Sequence, residues 1–147
     1  MDIVSPARRS KMMSNIRSSN TKAEVLVRKI LHAQGFRYRL GTVVALYVPD
    51  IVLSKYKVAV FVHGCFWHRH SGCSYATIPK TNPQKWQQKF AMNMERDSRV
   101  ETALLNEGWR IAIIWECWRK RKLDISWFFS WIRFSNSPYV SWPKIAD

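Results

Sequence analysis

Thirteen consecutive residues, Phe61 to Cys73, hold three of the chain's four histidines and two of its three cysteines, with Phe66-Trp67 between them. Past Trp67 this stretch has little apolar content with which to order itself, and a bound metal ion would fix such a loop. The local spacing is Cys65-x4-His70-x2-Cys73, and Cys117, beyond a distant apolar run, can close the set. Three thiolates and one imidazole suit zinc in a closed tetrahedral shell, the composition of a structural site. His63 and His68 lie as near as His70, so spacing does not choose among them, and a tetrahedral shell has no room for all three beside the cysteines. Without a metal, Cys65 and Cys117 would be small buried hydrophobes and the histidines solvated loop residues. An odd cysteine count in a reducing compartment favours metal binding or free thiols over a disulfide framework.

Charge bounds the partner. Lys and Arg number 24 against 10 acidic residues, a formal charge of +14 spread along the whole chain. That balance favours a polyanion, with nucleic acid ahead of an anionic membrane surface. The 147 residues, 47% hydrophobic and 14% aromatic, suit one globular domain and not a disordered basic tail. Apolar runs such as Ile111 to Trp115 are far short of the ~20 residues of a membrane-spanning helix. No apolar segment of a secretory signal follows the basic N-terminus. A cytosolic, nucleoid-associated protein without membrane contact is expected.

Residues 1–20 are basic and polar around Met12, Met13 and Ile16, a short helix or arm. Thr21-Lys22-Ala23-Glu24 fits a capping box, and Val25, Leu26, Ile30 and Leu31 continue a helical face to a stop at Gly35, which predicts a helix over about 21–34. Phe36 to Leu40 alternates as a half-buried strand. Asp50-Ile51-Val52-Leu53 and Val58 to Val62 flank Ser54-Lys55-Tyr56-Lys57 as a hairpin of two buried strands, with Asp50 near the level of Val62-His63. Asn82-Pro83 reads as the N-cap and first turn of a long helix ending near Gly108. Trp86, Phe90, Met94, Val100, Leu104 and Leu105 recur along it, while Lys85, Lys89, Arg96 and Arg99 give it a basic face. Trp109 to Trp115 is a buried strand and Ile125 to Phe134 a helix packed on the sheet. The tail around Pro138 and Pro143 receives no assignment.

Asp50 beside Val62-His63 suggests phosphodiester chemistry, in which a carboxylate holds Mg2+ and a neighbouring strand supplies further groups. His63 or His68 can act as general base or acid, since imidazole titrates near neutral pH. Asp50 can equally be a polar residue starting a strand, and a capping box already accounts for Glu24. Phe66 and Trp67 can be core anchors, or they can wedge between base pairs.

Taken together, His63-Gly64-Cys65-Phe66-Trp67-His68, with His70 and Cys73, resembles the core of the very short patch repair DNA mismatch endonucleases. The match extends upstream to Arg9-Ser10-x-x-Met13-x-x-Ile16 and Thr21-x-x-Glu24. Downstream it takes in Asn93-x-Glu95-Arg96-Asp97, Gly108-Trp109-Arg110 and Trp115-Glu116-Cys117. The resemblance implies a three-layer α/β domain similar to the PD-(D/E)xK restriction-endonuclease fold, with a central mixed sheet flanked by helices and a structural zinc site. It implies action on double-stranded DNA containing a T:G mismatch, the product of 5-methylcytosine deamination, with a nick on the 5′ side of the mismatched thymine. By motif position, Asp50 would ligate Mg2+ beside the backbone carbonyl of Val62. His68 would be the general base, His63 an assisting group at the phosphate, and Glu24 a support for the histidines. Cys65, His70, Cys73 and Cys117 would hold Zn2+. Phe66 and Trp67 would enter the base stack from the major groove, and Met13 would approach from the minor groove. The resemblance also raises mismatch-repair proteins and a cytosine-5 methyltransferase as partners of a monomeric enzyme.

Three features depart from the family pattern. Val62 stands where the best-known member carries threonine, which spares a main-chain ligand and excludes a hydroxyl role. The His70–Cys73 loop is one residue longer, and similarity fades beyond about residue 118. A zinc-stabilised DNA-binding module without catalysis, or a restriction-like nuclease with another target, are the competing readings.

Overall fold

The computed structural model describes residues 21–145, so the N-terminal arm and Met13 lie outside the described residues. Thr21 caps the first helix, α1 (Lys22–Ala33), its hydroxyl accepting the Glu24 N–H at 3.2 Å. Gly35 follows the helix end at φ +88°, the left-handed conformation that terminates helices. Strand β1 (Ile51–Leu53) pairs antiparallel with β2 (Val58–His63) around a 3-10 turn at Ser54–Tyr56, with Ile51 opposite Val60. The chain then crosses through the Cys/His loop and helix α2 (Pro83–Asn106) to β3 (Arg110–Trp115), which lies parallel to β2 with Trp115 beside His63. A one-turn helix, α3 (Cys117–Lys120), and α4 (Trp127–Phe134) precede β4 (Tyr139–Trp142), parallel to β3. Among the described residues the sheet has four strands in the order β1-β2-β3-β4.

Side-chain alternation divides the core between two faces. Val58, Val60, Val62, Ala112 and Ile114 pack against Val27 and Leu31 of α1 and Phe128 and Ile132 of α4. Val52, Ala59, Ile111 and Ile113 pack against Val100 and Leu104 of α2. The central strands are covered on both sides, which is why they read as unbroken apolar runs. The result is the expected three-layer mixed α/β arrangement. Among the described residues no helix is long and apolar enough to cross a membrane.

Some local expectations change. The strand expected at 36–40 is a single bridge, Arg39 to Val52, with bonds of 2.9 and 3.0 Å; Gly41, at φ +66°, turns the chain away directly afterwards. Asn82 occupies the N-cap position but sits at φ 53°, ψ 54° and makes no side-chain cap bond. Asparagine tolerates this left-handed conformation, and Pro83 supplies the helix start. Met94 and Leu105 are exposed, because α2 buries only Phe90, Val100 and Leu104. The unassigned tail supplies β4. Tyr139 and Ser141 are exposed while Val140 and Trp142 are half-buried, and flanking prolines are compatible with an edge strand.

Candidate active site and metal centre

Continued two residues outward, the β1–β2 register sets Pro49 opposite Val62. Asp50 Oδ2 accepts the Val62 N–H at 2.8 Å. Within a strand, the N–H and C=O of one residue point to the same edge, so the Val62 carbonyl faces Asp50 too. Pro49 has no N–H to offer that carbonyl. A carboxyl oxygen and a main-chain oxygen thus face the same edge at the end of the hairpin. Burial, seconded by the negative charge of Glu24, raises the Asp50 pKa from 3.8 to about 7, against the lowering effect of the Val62 N–H. Glu24 is itself buried, its carboxylate accepting from Arg28 at 3.1 Å. A buried carboxyl beside a second carboxylate and a main-chain oxygen suits a divalent cation, whose preferred ligands are oxygens.

His63 extends from the last position of β2. Burial first, and the neighbouring His68 second, lower its pKa to about 3, so the ring is neutral at ordinary pH. It stacks on His68 with ring centroids 3.8 Å apart and planes within 7°. On its other edge, His68 Nδ1 lies 2.7 Å from Asp97 Oδ2 of α2. With Asp97 accepting, Nδ1 is the donor, so in the neutral ring Nε2 carries the lone pair a general base requires. Asp97 belongs to the Asn93-x-Glu95-Arg96-Asp97 motif, but nothing in the sequence assigns it a role. The residues lie 29 positions apart, and only the docking of α2 over the sheet brings them together. Asp50, Val62, His63, His68, Glu24 and Asp97 all line one cavity of about 810 Å³.

The Cys65-x4-His70-x2-Cys73 stretch and Cys117 converge beside it. Cys65, His70, Cys73 and Cys117 are buried, and their ligand atoms all lie within 4.8 Å of one another, so they could hold a metal ion. His70 Nδ1 is 3.5 Å from both Cys65 Sγ and Cys117 Sγ, and Nε2 is 2.7 Å from the Pro143 carbonyl oxygen. That second bond fixes Nε2 as the donor and leaves Nδ1 facing the sulfurs, the outer contact common for metal-ligating histidines. The ring stacks on Trp115 at 4.3 Å. Burial raises the thiol pKa of Cys65 and Cys117; at Cys73 burial also raises it, but bonds to Arg121, whose guanidinium is 3.4 Å from Cys73 Sγ, and to its other neighbours outweigh that and lower it. Pro143 was missed because no sequence signal links a carbonyl to a histidine 73 positions away.

Phe66 and Trp67 are half-buried and pack with α2. Phe66 meets Trp67 at 5.1 Å, Trp86 at 5.6 Å and Phe90 at 5.2 Å, all edge-on. Lys89 Nζ lies over both tryptophan rings, and Asn93 donates to the Trp67 carbonyl at 3.3 Å. Arg69 binds the carbonyls of Phe66, Ala76 and Thr77 at 2.8 to 3.1 Å and covers the Phe90 ring at 4.1 Å. The loop is thus laced by a side chain that a composition-based reading counts only as charge.

The sequence profile of the DNA mismatch endonuclease Vsr family matches residues 1–74. The chain is 50% identical over 121 residues to the Type II nicking enzyme V.NmeAIP of Neisseria meningitidis serogroup A, covering 82% of this chain and 86% of that protein. It is 45% identical to the Type II nicking enzyme V.XorIIP of Xanthomonas oryzae pv. oryzae, covering 79% and 85%. Identity to the DNA mismatch endonuclease Vsr of Escherichia coli K12 is 37%, covering 79% and 74%.

Proposed function

The chain belongs to the DNA mismatch endonuclease Vsr family, and from that premise we propose that it nicks duplex DNA at a T:G mismatch, on the 5′ side of the mismatched thymine. The observation that carries this reading is the His68–Asp97 pair at 2.7 Å in the same cavity as the Asp50–Val62 corner. A base and a cation site within one cavity are the two parts that metal-assisted phosphodiester hydrolysis needs.

Asp50 and the Val62 carbonyl would hold Mg2+, which when bound supplies Lewis-acid stabilisation of charge on the scissile phosphate. His68 Nε2 takes the proton of the attacking water, and Asp97 stabilises the imidazolium that results. His63, neutral and stacked on His68, holds that ring in plane and offers a hydrogen-bonding nitrogen without adding positive charge. Glu24 adds negative charge beside Asp50 and would also support the histidines. Cys65, His70, Cys73 and Cys117 would hold structural Zn2+, a soft donor set with no open position.

Recognition falls to the aromatic cluster. Phe66 and Trp67, backed by Trp86, would enter the stack where a wobble pair is cheaper to unstack, and Met13 would belong to the same operation from the arm. Trp67→Ala is therefore expected to weaken binding to a T:G duplex roughly tenfold, in line with the energy of one base–aromatic contact, and binding to the matched duplex much less. Equal losses on both duplexes would make Trp67 a packing residue. A strand-resolved nicking assay on T:G and matched duplexes with Mg2+ tests the function as a whole. The nicking-enzyme relatives favour a preferred sequence around the mismatch, and a cytosine-5 methyltransferase acting at the same sequence is the partner that fits it.

A further inference from the structure

The connection leading to Asp50 carries an apolar tip that the site as described does not use. Val44 and Tyr47 exchange backbone bonds of 2.7 and 2.9 Å, closing a two-residue turn on Ala45 and Leu46. Both turn residues have positive φ, 51° and 72°. Such turns normally take Asn-Gly, because side chains with a Cβ are strained there. Leu46 is nonetheless 91% exposed, while Val44 at the base of the turn is buried against the α2 face of the sheet. A strained turn on a rigid base thus projects a large apolar side chain into solvent. Strain of this kind collects at functional sites.

Its position says what covers it. Tyr47 and Val48 line the same cavity as Asp50, His63 and His68, so the turn forms part of the cavity's rim. DNA grooves alone span ~12 and ~6 Å, and a phosphate reaching Asp50 must bring neighbouring nucleotides across that rim. Arg37 and Arg39 are exposed on the same connection. The formal charge of +14 opposes a second copy of the chain at this place and favours a polyanion.

We propose that Leu46 is a DNA-contacting residue, pressing its side chain against the sugars and base edges of the duplex beside the scissile phosphate. This rests on the cavity being the nuclease site. The contact is to flanking duplex and not to the mismatch, which separates it from the action of Trp67.

The test is equilibrium binding in chelator, where affinity is read independently of cleavage, with matched and T:G duplexes of one sequence. Leu46→Gly, which accepts φ 72° without strain, is expected to melt no lower than the wild type and to bind both duplexes about tenfold more weakly, the cost of leaving one leucine side chain unburied. Leu46→Phe, still apolar, is expected to stay within about twofold of wild type. Wild-type affinity in Leu46→Gly overturns the proposal, as does a loss confined to the T:G duplex. Sedimentation at the same concentrations gives a third reading: a wild-type dimer that Leu46→Gly dissolves without loss of DNA affinity makes the tip a contact between copies and overturns it. If the wild type binds but nicks no duplex, the nicking reading fails while the Leu46 contact is still decided by affinity.

Discussion

Replacing Asp50 by asparagine is expected to lower the nicking rate at least ~1,000-fold, about 4 kcal/mol of barrier, while T:G binding changes by less than about threefold. Asparagine preserves shape and can still accept the Val62 N–H, so the loss isolates the charge. The pH dependence follows from the same carboxyl. Its folded-state pKa of about 7 lies above the reference 3.8, so the folded protein holds an extra proton between those values. A cation must displace that proton, and at subsaturating Mg2+ the rate should rise with pH through about 7, with the midpoint moving lower as Mg2+ is raised. In chelator the stability contribution has the opposite sense. Asp50 contributes least above about 7, where the folded state must bury a charge, so Asp50→Asn should gain stability relative to wild type between pH 5 and pH 8. A variant that nicks at the wild-type rate would remove Asp50 from the chemistry.

Cys117→Ser is the second large effect. The wild type is expected to purify with one zinc per chain, and the variant to lose it together with roughly 4 kcal/mol of stability, about 10 °C or more in melting temperature for a chain of this size. The damage should reach catalysis as well. The Glu116 N–H binds the His63 carbonyl at 2.9 Å, and Glu116 Oε1 lies 3.4 Å from the Cys65 N–H. The cysteine cluster and His63 are therefore joined through Glu116. Zinc-free wild-type protein that melts with the variant would mean that the cluster is a set of buried thiols.

How far the sequence could be read depended on the range of the interaction concerned. The β1–β2 hairpin, β3 and α1 were legible because burial on two faces, or one helical stripe with a cap, writes itself into local periodicity. The Cys/His set was legible because three of its members share nine residues. Asp97, Pro143 and Arg69 were not, since each acts through one contact made by docking elements distant in sequence or by loop carbonyls that have no residue identity. β4 was hidden by its prolines and by having only one face to bury. The 44–47 turn was hidden for the reverse reason: Ala45 and Leu46 contradict the turn chemistry that would have announced it.

The central claim is a single-strand cut placed by a mismatch, and mapping nick positions at nucleotide resolution across a library of T:G duplexes with Mg2+ tests it most directly. The account predicts one nick per duplex, on the thymine strand immediately 5′ of the mismatched thymine, with the guanine strand and matched duplexes intact. Cleavage of both strands of matched DNA, or no cleavage with any divalent ion, would contradict it.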